Sequence, residues 1–322
     1  MYQASSLSYW LVSFNSYVVQ KDKLMKANAS VIVLFGAISY GIPASIFKIA
    51  TNEGASPTNL LISQIFCAAL ILISINFTQR KKYAFKLNSI SRAKLLLSGL
   101  AMASTNILYF TSLQYISVTV AAVLLMQSVW IAMIFGIIFK KNIPTKHQFI
   151  AVIFIMVGTI LATQIFTRQI TLSWIGIMLA FGSACAYACT LIVTNTVVKN
   201  ADPIQRAMYI SIGASFFLVL FCGYNIDFND QLIVFKWAPI IAIFSVVFPL
   251  ICFSKGMPLL SPGLGGILSS IELPSAIIFA YILLNEKITL IQILGIFIIV
   301  SSIIYPNLIS LIQKKRNKKI RS

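Results

Sequence analysis

The chain has 322 residues, of which 59% are hydrophobic and 10% charged, and its mean hydropathy is +0.91. So few charges cannot cover a water-facing surface of ordinary size, which excludes a soluble globular domain. The formal net charge of +18 does not make the chain a nucleic-acid binder either. Its Lys and Arg sit in short clusters between long apolar runs and in the C-terminal tail, as cytoplasmic loops beside anionic lipid do.

The first 24 residues form an extension in which Leu7–Gln20 is apolar but dotted with serines, Asn15 and Gln20. It lacks the basic start and small-residue cleavage site of a signal peptide. Met25, just before the first clear apolar run, offers a second start. A span needs about 20 apolar residues to cross roughly 30 Å of hydrocarbon. That window predicts ten transmembrane helices at about 30–49, 58–78, 94–112, 117–139, 148–166, 172–197, 205–224, 236–255, 263–284 and 290–311. The connections are short and leave no room for a soluble domain.

The positive-inside rule orients these spans. With the N-terminus inside, 21 of the 25 Lys and Arg residues fall on the cytoplasmic side, including Lys199, Arg206 and Lys255. Lys48, Arg168, Lys236 and Lys287 fall outside. Both termini are then cytoplasmic.

An internal repeat appears at offsets of 146 and 144. Gly54-Ala55-Ser56-Pro57 aligns with Asn200-Ala201-Asp202-Pro203 and Gly36 with Gly182, while Ser117 aligns with Ser261 and Gln148 with Gln292. Five helices per copy is an odd number, so the second copy enters the membrane from the opposite side. The predicted fold is therefore an all-α polytopic membrane protein of two inverted five-helix repeats. It is divided as an extension (1–29), a first repeat (30–167), a second repeat (168–311) and a basic tail (312–322).

The spans carry few ionisable groups, and each is a functional candidate because a charge in hydrocarbon costs at least about 2.5–3.5 kcal/mol. Glu272 lies in the middle of the ninth span, and Pro274 frees backbone beside it. Gly263, Gly265 and Gly266 allow close helix approach or bending. The residue is read as a contact for a substrate amine or a proton-coupling acid, against a structural, hydrogen-bonded Glu. Lys48 either snorkels to the headgroups or faces a central cavity, to hold a substrate carboxylate or pair with Glu272. Gln64 sits at similar depth on the second span. Tyr109, Gln127 and Trp130 offer aromatic and amide contacts to an organic ligand, with helix packing as the plainer reading.

No metal site is expected: Cys185 and Cys189 lie at i, i+4 among small residues with no second cluster, and His147 sits in a basic loop. Disulfides are not implied for the five cysteines. No P-loop, HExxH or GxSxG motif is present, so neither ATP hydrolysis nor an intramembrane hydrolase is indicated, and no cofactor is called for.

From about Met25 to Leu311 the sequence resembles the EamA-type branch of the drug/metabolite transporter superfamily. The resemblance rests on Ser39-Tyr40-Gly41, Lys48-Ile49-Ala50, Gly54-Ala55-Ser56-Pro57 and Glu272-Leu273-Pro274. Its most specific piece is Leu284-Asn285-Glu286-Lys287-Ile288-Thr289 leading into Gln292 and Gly295. The first repeat departs from the pattern, with Asn142 at the position of the Glu and Gln64 where many relatives carry Arg. The resemblance implies a non-enzymatic carrier in the bacterial inner membrane, exporting amino acids, other metabolites or toxic compounds. It implies a proton-linked or facilitative carrier, with the fifth and tenth spans as scaffold or homodimer contact. Two other readings stay open: uptake of a nucleotide-derived metabolite, and a glycolipid-translocation subunit or lipid-linked membrane enzyme.

Overall fold

The computed structural model describes residues 25, 27–79, 87–116, 118–164, 173–223 and 230–319. The stretch Leu7–Gln20, Arg168 and residues 320–322 lie outside them. The described residues are helical throughout, with no strand. We number the helices α1 (Ala27–Asn52), α2 (Pro57–Gln79), α3 (Ser89–Ser112), α4 (Val118–Leu125 and Ser128–Lys140) and α5 (Lys146–Thr163). The second copy comprises α6 (Trp174–Thr196), α7 (Pro203–Cys222), α8 (Gln231–Leu259), α9 (Pro262–Ser269 and Glu272–Leu284) and α10 (Leu290–Lys319). Among the described residues nine helices are long and apolar enough to cross a membrane, and α10 contributes a shorter apolar run, Leu290–Pro306. The chain is a multi-pass membrane protein.

Large apolar side chains that a soluble protein would bury point outward here, among them Trp174, Leu232, Phe235, Leu290 and Phe297, each at least 69% exposed. They are the lipid-facing surface, since hydrocarbon tails rather than water are their solvent.

The two repeats pack as mirror entries of one scheme. In it α3 lies against α6 and α7, and α8 against α1 and α2; α4 lies against α6, and α9 against α1. The remaining major contacts, α2 with α7, α4 with α9 and α5 with α10, join each helix to its own repeat mate. Local chemistry repeats as well. Thr145 and Gln148 form a capping box at the start of α5, and Thr289 and Gln292 bond in the same way before α10. Lys141 and Asn285 both close their helices in the left-handed region, with φ of 50° and 54°. Each of these pairs is separated by the offset of 144 seen in the sequence.

Close approach is carried by glycine. A Cβ on Gly213 of α7 would stand 2.0 Å from the Leu96 carbonyl oxygen, and one on Gly99 of α3 would stand 2.3 Å from the Ala214 nitrogen. Gly158 and Gly295 meet in the same manner between α5 and α10. Small residues are what let transmembrane backbones touch.

Candidate functional site

Three spans are interrupted near their middles, and the causes differ. In α1 the helix stops at Ser39 and resumes at Ile42, with tight i→i+3 bonds from Tyr40 and Gly41 to Ala37 and Ile38. Pro43 explains this, because its ring clashes with the carbonyl four residues back and it has no N–H to donate. In α9 the interruption falls at Ser270–Ile271, four and three residues ahead of Pro274. In α4 the interruption at Met126–Gln127 has no proline near it. There the Gln127 backbone N–H turns to Leu124, and its side-chain Nε2 donates to the vacated Val123 carbonyl at 3.0 Å. The breaks of α4 and α9 are equivalent at the offset of 144, one made by an amide side chain and the other by proline.

The breaks of α1 and α9 cross. A Cβ on Gly41 would stand 2.4 Å from Ser275 Oγ and 2.5 Å from the Ala276 nitrogen, so the backbone at the α1 break touches the first turn of the second half of α9. Glu272 opens the second half of α9 at this crossing, at the end of a helix whose dipole favours negative charge. Of the Asp and Glu among the described residues, it alone lies within a span.

Its carboxylate Oε2 accepts a hydrogen bond from the Tyr187 hydroxyl of α6 at 3.0 Å. Tyr187 meets Tyr40 edge to face, with ring centroids 6.4 Å apart at 88°, and Tyr40 tilts against Phe253 of α8 at 5.7 Å. Tyr40 and Tyr109 both lie within electrostatic reach of the carboxylate. Glu272, Tyr40 and Tyr109 are half-buried. A carboxylate in an aromatic, hydroxyl-bearing environment between the repeats is equipped to hold a cation or to give and take a proton.

The other sequence candidates are placed as follows. Gln127 and Trp130 are joined to each other, Trp130 Nε1 donating to Gln127 Oε1 at 2.8 Å, and the Trp130 ring lies 6.4 Å from Phe181 of α6. Tyr109 stacks edge-on to Phe110 at 5.7 Å. Gln64 is buried on α2 and accepts from Ser245 of α8 at 3.4 Å. Its neighbourhood is polar for a reason. A π-helical turn at Ile243–Val247 precedes Pro249 and loosens the α8 backbone, and the Phe244 carbonyl is taken by Ser39 Oγ at 2.9 Å. Gly263 and Gly266 pack against Met133, Val129 and Ala132 of α4, and Gly265 against Met257. Lys48 is not at the crossing: its ammonium bonds Glu286 at 2.6 Å, with both side chains about half exposed at 56% and 46%.

The Lys48–Glu286 pair belongs to a set of ties at one end of the bundle, the end carrying Glu53. Lys236 of α8 bonds Glu53 at 2.9 and 3.1 Å, and Trp237 Nε1 adds 2.8 Å. Asp230 accepts from the Ser56 backbone N–H and from Asn59, both at 2.5 Å. Every one of these ties joins the first repeat to the second. At the other end Arg206 is fully buried. Its guanidinium donates to the carbonyls of Val197 at 3.2 Å, Thr194 at 2.5 Å and Ser254, while Asn195 donates to those of Met257 and Leu260. Beside them Val198 is held at φ 45°, a strained position for a β-branched residue.

Tyr187, Asp230, Asn195 and the burial of Arg206 are features that the sequence reading missed. A tyrosine between Ala186 and Ala188 in an apolar run gave one faint signal, a large polar-tipped side chain where its neighbours are small.

The EamA-like transporter family model matches residues 28–164 and again 174–307. The chain belongs to the EamA-like transporter family. No curated protein matches it. Among solved structures 29 chains match. One of them, a crystal structure, superposes with a TM-score of 0.72 at 13% identity, covering 88% of this chain and 99% of its own; at that identity it shows the shared fold alone. The two EamA matches place one copy on each five-helix repeat, and the family is one of membrane transporters.

Proposed function

We propose that this EamA-type chain is a secondary transporter that exports a small organic solute by alternating access, with Glu272 as the group that recognises it. The observation that carries the reading is the crossing of the broken helices α1 and α9, where Glu272, the one acid in a span among the described residues, accepts a hydrogen bond from Tyr187 of α6. Interruptions of a helix at membrane depth are tolerated where they are covered by protein or line a solute path, and inverted-repeat carriers bind near discontinuous helices. Protons are the proposed coupling ion, exchanged at the same carboxylate. The charge distribution of the loops supports a cytoplasmic Lys199 end and an external Glu53 end, in a bacterial inner membrane.

The test compares the metabolite content of cells and medium for cells carrying wild-type chain, Glu272→Gln or no chain, with membrane insertion verified for each. Wild type is expected to shift at least one solute outward, and Glu272→Gln to reduce that shift about tenfold or more, the scale of losing a charged hydrogen bond in a dry site. A Glu272→Gln chain that redistributes the same solutes as wild type removes the proposed role.

A further inference from the structure

We propose that the Glu272 site takes organic ammonium ions and discriminates against zwitterionic amino acids. This rests on the transport reading of the same site and narrows it to a substrate class.

The first observation is charge balance. Glu272 has a neutral partner, the Tyr187 hydroxyl, and neither of the two ion pairs among the described residues involves it. A carboxylate held at membrane depth demands a positive charge or a proton, and with no Lys or Arg among the described residues bonded to it, the solute is placed to bring one.

The second is the shape of the surroundings. Tyr187, Tyr40 and Phe253 form a continuous run of rings at 6.4 and 5.7 Å. Aromatic faces attract ammonium groups, most strongly where water is excluded.

The third decides between amines and amino acids. An amino acid needs a second, positive group for its own carboxylate, and neither Lys48, the sequence's candidate for that role, nor the buried Arg206 is free to supply it. Lys48 is bonded to Glu286 at the bundle end. Arg206 is sealed among three main-chain carbonyls, where its donors hold the ends of α6 and α8. A solute carboxylate brought to Glu272 would face a like charge, and no Lys or Arg among the described residues bonds Glu272, Tyr187 or Tyr40. Lys255 lies in the last turn of its α8 segment, next to the Ser254 carbonyl that Arg206 holds at the opposite end of the bundle from Glu53.

The experiment measures binding to the purified full chain in detergent by calorimetry. Three probes share one ring: phenethylamine, phenylalanine (the same amine with a carboxylate added) and benzyltrimethylammonium, a permanent cation that cannot donate a proton. Phenethylamine and benzyltrimethylammonium are expected to bind, and phenylalanine to bind about tenfold more weakly or worse. Glu272→Gln is expected to abolish binding of both cations. Tyr40→Phe is expected to keep it, because the aromatic face remains, and Tyr40→Leu to weaken it.

Phenylalanine binding as tightly as phenethylamine overturns the proposal, as does benzyltrimethylammonium binding that Glu272→Gln leaves unchanged. Failure of both cations to bind wild-type protein with an intact unfolding transition overturns it too. If phenylalanine binds as tightly as phenethylamine and in a Glu272-dependent way, the cation class falls while the transport reading stands. The transport reading itself falls only with unaltered solute movement by Glu272→Gln in cells.

Discussion

Glu53 caps the end of α1, outside the span, and holds three bonds from the second repeat. Hydrogen bonds from the Trp237 indole and then the Lys236 ammonium keep its carboxyl below the usual carboxylate range. A group whose folded value is depressed adds stability that is complete above its unfolded value and fades as pH falls through the folded one. Glu53→Gln is therefore expected to lower the unfolding temperature slightly at neutral pH, with the gap closing as the solution is acidified and shrinking in salt. A gap that widens in acid would contradict this account of the tie. At this scale the sequence was informative only where cost forces meaning. Glu272 stood out because a buried acid is expensive wherever it points. Lys48 did not resolve, because a lysine near a span end reaches headgroups, cavity or a loop carboxylate with equal ease, and Glu286 is 238 positions away. Arg206 read as an orientation charge. Its burial depends on carbonyls from the ends of α6 and α8, which no local pattern joins to it.

At the scale of elements, the proline-made breaks were legible and the others were not. Pro274 announced the interruption of α9, whereas Pro43, which carries the same signal in α1, went unread there. The break of α4 is written in one glutamine whose side chain does the work of a backbone N–H, a role indistinguishable in sequence from any polar residue on a span. Backbone contact between helices is sharper than either. Gly213 sits where a Cβ would meet the Leu96 carbonyl at 2.0 Å, whereas at Gly223 it would meet only Val219 Cγ1 at 3.4 Å. Gly213→Val is expected to destabilise the protein by about 1–3 kcal/mol through forced separation of α3 and α7. Gly223→Ala is expected to leave the unfolding transition near wild type. Thermal unfolding in detergent checks both, and equal stability of the two variants would show that α3 and α7 do not pack as described.

For the whole molecule, ten spans and two inverted copies were readable from apolar length, odd helix number and a handful of aligned residues. The pairing of α3 with α7 and α8 with α2 was not, since lipid-facing and protein-facing sides of such helices are equally apolar and periodicity is muted. The pairing matters because it puts the Glu272 crossing between copies that are tied across the Glu53 end by Lys48–Glu286, Glu53–Lys236 and Asp230. The proposed alternating access about that crossing requires those ties to open in every cycle. The direct measurement replaces the five native cysteines, introduces Lys48→Cys and Glu286→Cys, and joins them with a bis-methanethiosulfonate linker, which forms one reducible disulfide with each cysteine and spans the gap left by two long side chains better than a direct disulfide. Reconstituted in proteoliposomes loaded with the solute found in cells, the linked protein is expected to lose exchange and to regain it when a reductant cuts the linker. Exchange that continues undiminished with the linker in place would contradict the movement of the two repeats about Glu272.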